Sequence, residues 1–207
     1  MKAQREHSDL TEAIDWINTK TSDLMFATDE RTLIAVACFD VALEHQAAVA
    51  CLHVANLPGS MLALLRVLSE SVVRGLWLFL CATEEELTKF KRGKIDKTFK
   101  QLISEFESRD GVASSVLSTF RANSWQALND FTHTGFNQVI RRHAQGRVEA
   151  SYPDHELAQA LDVALVLGFV GAAQLVAMSN RGDLVADFTS KMREFSARRP
   201  PMQKEKK

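Results

Sequence analysis

The stretch of residues 61–80, MLALLRVLSESVVRGLWLFL, constrains the fold of this chain more than any other segment. Large apolar residues would cover most of its circumference as a helix, and such a helix is buried in a bundle or a membrane. Within it, Arg66, Glu70 and Arg74 recur every four residues, so they lie along one stripe. Because buried charges must be paired or used, the stretch predicts a central helix that carries a polar cluster.

Two helices are predicted before this segment. Apolar residues at three- and four-residue spacing predict the first over residues 8–18, with Ser8 or Asp9 as its N-cap. The same spacing predicts a long helix over residues 29–55, with Asp29 at its start. The sequence Leu57-Pro58-Gly59 then ends the second helix. Because this connection is so short, the second and third helices are predicted to lie antiparallel.

The second half of the chain carries further helix-start signals. Thr83 followed by Glu86 has the pattern of a capping box, in which each residue bonds the other's backbone N–H. Asp96 is predicted to cap the next helix, and Asp154 is predicted to cap the last long one. No alternating strand pattern and no hairpin dipeptide is found in the sequence. We therefore predict an all-α fold, a single bundle of about six to eight helices over residues 1–197, followed by a disordered basic tail over residues 198–207.

The composition is that of an ordinary soluble protein, with 46% hydrophobic and 25% charged residues. The net charge of -1 gives no global field that would draw the molecule to nucleic acid or an anionic membrane. Three cysteines without a CxxC pair, and an N-terminus without an apolar signal region, predict a cytoplasmic protein. The apolar run 161–178 comes closest to a membrane span, but its Ala and Gly content favours a buried bundle helix, so no membrane partner is predicted.

A second candidate site lies in residues 127–143, ALNDFTHTGFNQVIRRH. Asn129 and His133 are four residues apart and share a face if the helix persists, and Arg142 follows in a basic stretch. Histidine can act as a general acid or base near neutral pH, and arginine can hold a phosphate with two parallel hydrogen bonds. A histidine beside arginines can equally be structural, and the basic stretch could also be a DNA-reading helix.

No metal and no cofactor is predicted. Asp40, Glu44, His45 and His53 lie on the second helix, but the two Glu-x-x-His pairs of a di-iron bundle are missing from the sequence. The glycine-rich phosphate loops and the nucleophile-elbow motif are missing as well.

The motif LLRxxxE at residues 64–70, followed by NDxxHTG at residues 129–135, resembles a group of uncharacterised bacterial all-helical proteins. These are similar to the HEPN superfamily, a helical class that includes many nucleases. The nuclease signature of that superfamily is an arginine, four to six residues and a histidine, and no pair in this sequence has that spacing. The nearest local analogue is Asn129 with His133. The resemblance implies a site in a groove where the central helices meet, with RNA or a nucleotide as ligand, and a homo-oligomer.

Two functional hypotheses follow from these residues. In the first, one cluster binds RNA or a nucleotide, with His133 as the catalytic acid or base and Arg66 or Arg142 stabilising the phosphate charge; the cluster comprises Arg66, Glu70, Arg74, Asn129, His133 and Arg142. In the second, the protein is a non-catalytic interaction or dimerisation module, and the face of Gly168, Gly171 and Ala172 packs closely on another helix or subunit. The first hypothesis requires a cluster open to solvent, and the second a sealed one.

Overall fold

A computed structural model describes residues 1–109, 115–144 and 146–198. Over these residues the chain forms nine α-helices, which are α1 (Lys2–Thr21), α2 (Glu30–Val54), α3 (Pro58–Leu80), α4 (Glu84–Lys91), α5 (Phe99–Glu107), α6 (Val116–Thr132), α7 (Phe136–Ile140), α8 (Asp154–Met178) and α9 (Val185–Ala197). A 3-10 turn precedes α9, and a short antiparallel ladder joins β1 (His143–Ala144) to β2 (Arg147–Val148). The predicted all-α fold is confirmed. The number of helices is slightly higher than predicted, because the chain adds short helices such as the five-residue α7.

The helix α3 contributes to two hydrophobic cores. Leu65, Leu68 and Val72 lie in the main core, which α1, α2, α8 and α9 complete. Trp77 and Leu78 lie in a smaller core with residues of α4 and α5. The segment predicted to be central therefore stands between both cores, which explains why it is apolar on nearly every side.

The helices α2 and α3 form a hairpin. Asp29 caps α2 as predicted, since its side chain accepts a hydrogen bond from the backbone N–H of Thr32 at 3.0 Å. Asn56 adopts a left-handed conformation between the helices, with a φ of 55°. Pro58 then opens α3, where a missing N–H costs nothing because the first turn of a helix has no acceptor for it.

Three cap predictions are resolved by the structure. The capping box of Thr83 and Glu86 is confirmed at the start of α4. Asp96 is not the cap of α5; Thr98 takes that position and forms its own capping box with Gln101. Asp154 does not cap α8 with its side chain either, since its carboxylate accepts hydrogen bonds from the first backbone N–H groups of α1.

The start of α1 was predicted too late. The helix begins at Lys2 and not at residue 8, so neither Ser8 nor Asp9 is an N-cap. The backbone N–H of Lys2 lies 2.8 Å from Asp154 Oδ2. A partner 152 residues away in sequence satisfies the helix end, and no local pattern could have shown it.

The small-residue face of α8 packs on another helix of the same chain. A Cβ atom at Gly168 would lie 2.0 Å from Gln46 Nε2, which donates a hydrogen bond to the Ala164 carbonyl at 3.2 Å. Gly171 faces Phe39 and Ala42 at ordinary van der Waals distances. The close approach predicted for this face is therefore made to α2.

Two helices, α2 and α8, are long and apolar enough to cross a membrane by length and composition. In the most apolar stretch of 18 residues, 33% of α2 and 56% of α8 is buried inside the protein. Core helices of soluble proteins pass the same test. The cytoplasmic assignment and the missing membrane partner stay predictions.

The C-terminal end of the described chain is tied to α1. Arg198 donates hydrogen bonds to Asp9 at 3.0 Å and to Glu12 at 2.7 Å. Lys191 also bonds Glu12, at 3.1 Å. The predicted tail began at Arg198, and its other residues, 199–207, lie outside the described residues. The single domain over residues 1–197 stays a prediction.

The first stability prediction concerns Gly75 in α3. A Cβ atom there would lie 2.7 Å from the ring of Phe39, which is fully buried and has no room to move. Overpacking of about 1–3 kcal/mol outweighs the helix-propensity gain of about 1 kcal/mol. We expect Gly75→Ala to lower the free energy of unfolding, measured by urea denaturation. Gly171→Ala is the matched control, because its Cβ would meet Phe39 at 3.8 Å; equal destabilisation of both variants would contradict this packing.

The second stability prediction concerns Glu12. Hydrogen bonds from Arg198, with a further one from Lys191, outweigh burial and lower the pKa of Glu12 from 4.5 to about 2. A depressed pKa stabilises the fold above pH 4.5, and this contribution disappears as the pH falls through about 2. We expect Glu12→Gln to cost less than about 1 kcal/mol at pH 7, because Glu12 is 46% exposed and solvent screens the pair.

Urea midpoints at about pH 7, 4 and 3 measure this linkage, and the deficit of Glu12→Gln should shrink with each step. Glu149→Gln, at an exposed position, serves as the control. A deficit that stays constant down to the lowest pH would contradict the assigned pKa.

Candidate functional site

The polar stripe of α3 is an ion-paired set. Glu70 Oε1 accepts a hydrogen bond from Arg66 Nε at 3.0 Å, and Glu70 Oε2 accepts one from Arg74 Nη2 at 3.2 Å. The side chain of Arg66 is 21% exposed, and that of Arg74 is 42% exposed. One carboxylate thus orients two guanidinium groups, and both keep N–H donors that are free to face a ligand.

The helix α6 packs against this stripe. Trp125, Asn129 and His133 follow at four-residue spacing, so they share a face of α6 and of its C-cap. Arg66 Nη1 contacts His133 Nε2, and the Arg66 guanidinium carbon lies 5.1 Å from the centroid of the Trp125 ring. Thr132 Oγ1 donates a hydrogen bond to the Ala63 carbonyl at 3.3 Å, which joins the end of α6 to α3.

The contact between Arg66 and His133 fixes the tautomer of the imidazole. A guanidinium group only donates hydrogen bonds, so Nε2 accepts and the ring proton of a neutral His133 lies on Nδ1. The side chain of His133 is exposed. The structure therefore brings the charged stripe of α3 into contact with the end of α6 that carries His133, as the hypothesis of a single cluster requires.

Asn129 occupies the turn of α6 between Trp125 and His133. Its Oδ1 atom is buried and accepts no hydrogen bond within the described part of the chain. A buried carbonyl oxygen of this kind is costly to leave unpaired, but it is sealed from solvent and Asn129 does not line the cavity described below.

The structure does not bring Arg142 into this cluster. The turn after α7 directs its guanidinium toward Tyr152, whose ring centroid is 5.9 Å away, and Arg142 Nη2 would lie 2.8 Å from a Cβ atom at Gly59. Gly59 precedes Arg66 by seven residues, or roughly 10 Å of helix. Arg142 is thus a neighbour of the N-terminal end of α3, and its predicted place beside Arg66 was wrong.

A cavity of about 500 Å³ opens beside the Arg66 stripe, between α3, α5, α6 and the segment that leads into α5. It is lined by Arg66, Glu70, Arg74, Ile95, Lys97, Thr98, Phe99, Lys100, Leu102, Arg121 and Trp125. Five of these side chains are cations and one is a carboxylate. The walls of the cavity therefore carry an excess of positive charge that favours an anion.

The cations of the cavity differ in how they are paired. Lys97 lies 2.6 Å from Glu105, and it also pairs with Glu86. Burial opposes its charged form, but the hydrogen bonds to both carboxylates raise the pKa of Lys97 above its usual range. Within the described chain, neither Lys100 nor Arg121 has a carboxylate oxygen within 4.0 Å.

The aromatic residues of the cavity pack on one another. Phe99 and Trp125 are stacked, with ring centroids 4.0 Å apart and an interplanar angle of 10°. Sequence reasoning missed both, as well as Lys100 and Arg121. Trp125 could have been found from its four-residue spacing to Asn129, but the α5 residues enter the site only through tertiary packing.

No group of three or more His, Cys, Asp or Glu side chains is placed to hold a metal ion within residues 1–109, 115–144 and 146–198. Glu44, which the sequence offered as a candidate ligand on α2, is exposed. The arginine and lysine side chains around the cavity are suited to binding an anion.

The fold and the site together define a class of all-helical proteins with a cation-lined cavity between a buried helix and its neighbours. Residues 39–201 match a family model described as a family of unknown function (DUF6988). The chain belongs to this family, and the match includes all of α3, α5 and α6. A search of curated proteins found no match, and a search of solved structures found none. The family description names no HEPN relationship, so the HEPN-like assignment stays a prediction.

Proposed function

We propose that this protein binds RNA or a nucleotide by its phosphate groups, in the cavity between α3, α5 and α6. The observation that carries the proposal is the set of cations around a cavity of about 500 Å³: Arg66 and Arg74 share Glu70, Lys97 is paired with Glu86 and Glu105, and Lys100 and Arg121 add two further positive charges. The whole chain has a net charge of -1, so this excess of positive charge is local to the cavity. Arginine forks and lysine ammonium groups are the usual protein partners of phosphate.

The exposure of the cluster supports a ligand site over a purely structural ion pair. Arg74 is 42% exposed, and His133 is exposed as well. A cluster whose only role was to fix helix register would be expected to be sealed from solvent. An open cluster can exchange water for a ligand.

The contact of Arg66 with His133 supports the HEPN-like part of the proposal. In the superfamily the arginine and histidine come from one short motif, whereas here α3 supplies the arginine and the end of α6 the histidine. His133 is not one of the residues that line the cavity and reaches it only through its contact with Arg66. In a catalytic version of this site, the phosphate lies at the Arg66 end of the cavity, where His133 acts as acid or base and Arg66 stabilises the charge that develops.

Binding is tested with a labelled single-stranded RNA and a labelled nucleoside diphosphate, followed by fluorescence anisotropy. We expect at least one of them to bind, and Arg121→Gln to weaken that binding by about tenfold, because an unpaired cavity charge is lost. Arg193→Gln is the charge-matched control, since Arg193 is exposed on α9. Equal weakening by both substitutions would show binding away from the cavity.

The same preparation distinguishes a catalyst from a binding protein. Labelled RNA is incubated with the wild type and with His133→Ala, and the products are separated by size. Cleavage that disappears in His133→Ala supports the catalytic version, whereas intact RNA with retained binding supports a binding protein without catalysis.

A second candidate function, dimerisation, is favoured by the outer face of α2. Leu33 is 47% exposed, Val41 is 41% exposed and Val54 is 72% exposed, all on a helix that is apolar enough to span a membrane. The exposed carboxylates of Asp40 and Glu44 lie on the same face, so this surface mixes apolar and charged side chains, as non-obligate interfaces do. We propose that two copies of the chain pack through this face.

We expect the wild type to be dimeric at about 50 μM and Val41→Asp to weaken the dimer by about tenfold or more, because the substitution removes an apolar contact and adds a third carboxylate beside Asp40 and Glu44. Light scattering coupled to gel filtration measures the mass. Val148→Asp is the control, since Val148 is 86% exposed and lies outside α2. A monomeric wild type would contradict the dimer.

A further inference from the structure

We propose that the cavity selects a small molecule with two linked phosphate groups, of the nucleoside diphosphate class, and that it recognises the phosphates and not the base. This inference rests on the proposed function, since it names the ligand class of the same cavity. Three observations on the cavity walls support it: the occupied aromatic rings, the two separate groups of cations, and the size.

The aromatic rings of the cavity are already in contact with other side chains of the protein. Phe99 covers one face of the Trp125 indole at 4.0 Å, and the Arg66 guanidinium lies 5.1 Å from the centroid of that indole. Proteins that bind single strands without sequence preference stack successive bases on free aromatic faces. The aromatic rings of the lining, Phe99 and Trp125, cover each other and Arg66 lies over the indole, so successive bases have no two free rings to stack on.

The available cations fall into two groups on different walls. On α3, Arg66 and Arg74 share the single carboxylate of Glu70, which leaves one surplus positive charge and several N–H donors. Lys100 from α5 and Arg121 from α6 form the second group, with no carboxylate oxygen within 4.0 Å in the described ranges.

Two positive groups match two anionic groups. A monophosphate can neutralise only one of them at a time, whereas a diphosphate can engage both and gains the second interaction without a second loss of translational freedom. The second phosphate of a diphosphate therefore binds to the group of cations that the first phosphate has not occupied.

The size of the cavity limits the ligand. Its volume of about 500 Å³ lies within the 300–1,000 Å³ that is typical of small-molecule sites. A site for an RNA strand is a continuous groove that accommodates several nucleotides. The cavity therefore fits one nucleotide better than a strand.

Isothermal titration calorimetry on the full chain tests the inference, with ADP, GDP, inorganic pyrophosphate, AMP, adenosine and an RNA oligonucleotide without terminal phosphates. We expect ADP, GDP and pyrophosphate to bind within about threefold of one another, and AMP at least about tenfold more weakly. Adenosine should give no signal. The Lys100→Gln/Arg121→Gln double variant should bind ADP as weakly as the wild type binds AMP.

The double variant should change AMP affinity by no more than about twofold, because AMP can still use the α3 group. AMP binding as tight as that of ADP would overturn the inference while leaving the proposed function in place. So would a preference for one base above about tenfold, or an RNA oligonucleotide that binds more tightly than ADP and is weakened by the double variant. If none of the six compounds binds, the proposed function fails together with the inference.

Discussion

A helix that is packed on nearly all its sides has only one stripe of surface where charged side chains reach solvent. The position of the site depends on this constraint. The helix α3 lies between two hydrophobic cores, so its charges cannot disperse over a solvated face. Arg66, Glu70 and Arg74 are confined to that stripe and pair with one another. Any neighbour that approaches the stripe meets a fixed row of guanidinium groups, and α6 is the helix that does so.

The polarity of α6 follows from this arrangement. Its contact face presents Trp125, Asn129 and His133 in place of a continuous apolar row, and each of them has a group that suits a cation or a polar partner. The helices therefore meet without excluding water completely, and a cavity is left between them. A fully apolar α6 would have covered the ion pairs of Arg66 and Arg74 with Glu70 by apolar surface, at a high desolvation cost.

The sequence was sufficient for the helices because their signals are local. Apolar periodicity and side-chain caps such as Asp29 and Thr83 act within a few residues, and they located most of the helix boundaries. The start of α1 was missed because Asp154 satisfies it from the other end of the chain. The hypothesis that Arg66 and His133 share one cluster came from the LLRxxxE and NDxxHTG motifs, and the structure places the two side chains in contact. Lys100 and Arg121 could not be placed, since their position depends on how α5 and α6 rotate against α3.

The three tryptophans of the chain stand in very different surroundings. Trp77 is buried, and its indole N–H donates a hydrogen bond to Glu105 at 2.7 Å, while Trp16 packs against Phe188 with ring centroids 4.7 Å apart. Trp125 alone among them lines the cavity between α3, α5 and α6, beneath a guanidinium group that would have to respond to an incoming anion. The intrinsic fluorescence of the protein thus contains a reporter in the wall of the cavity, and its emission would register occupancy without any attached dye.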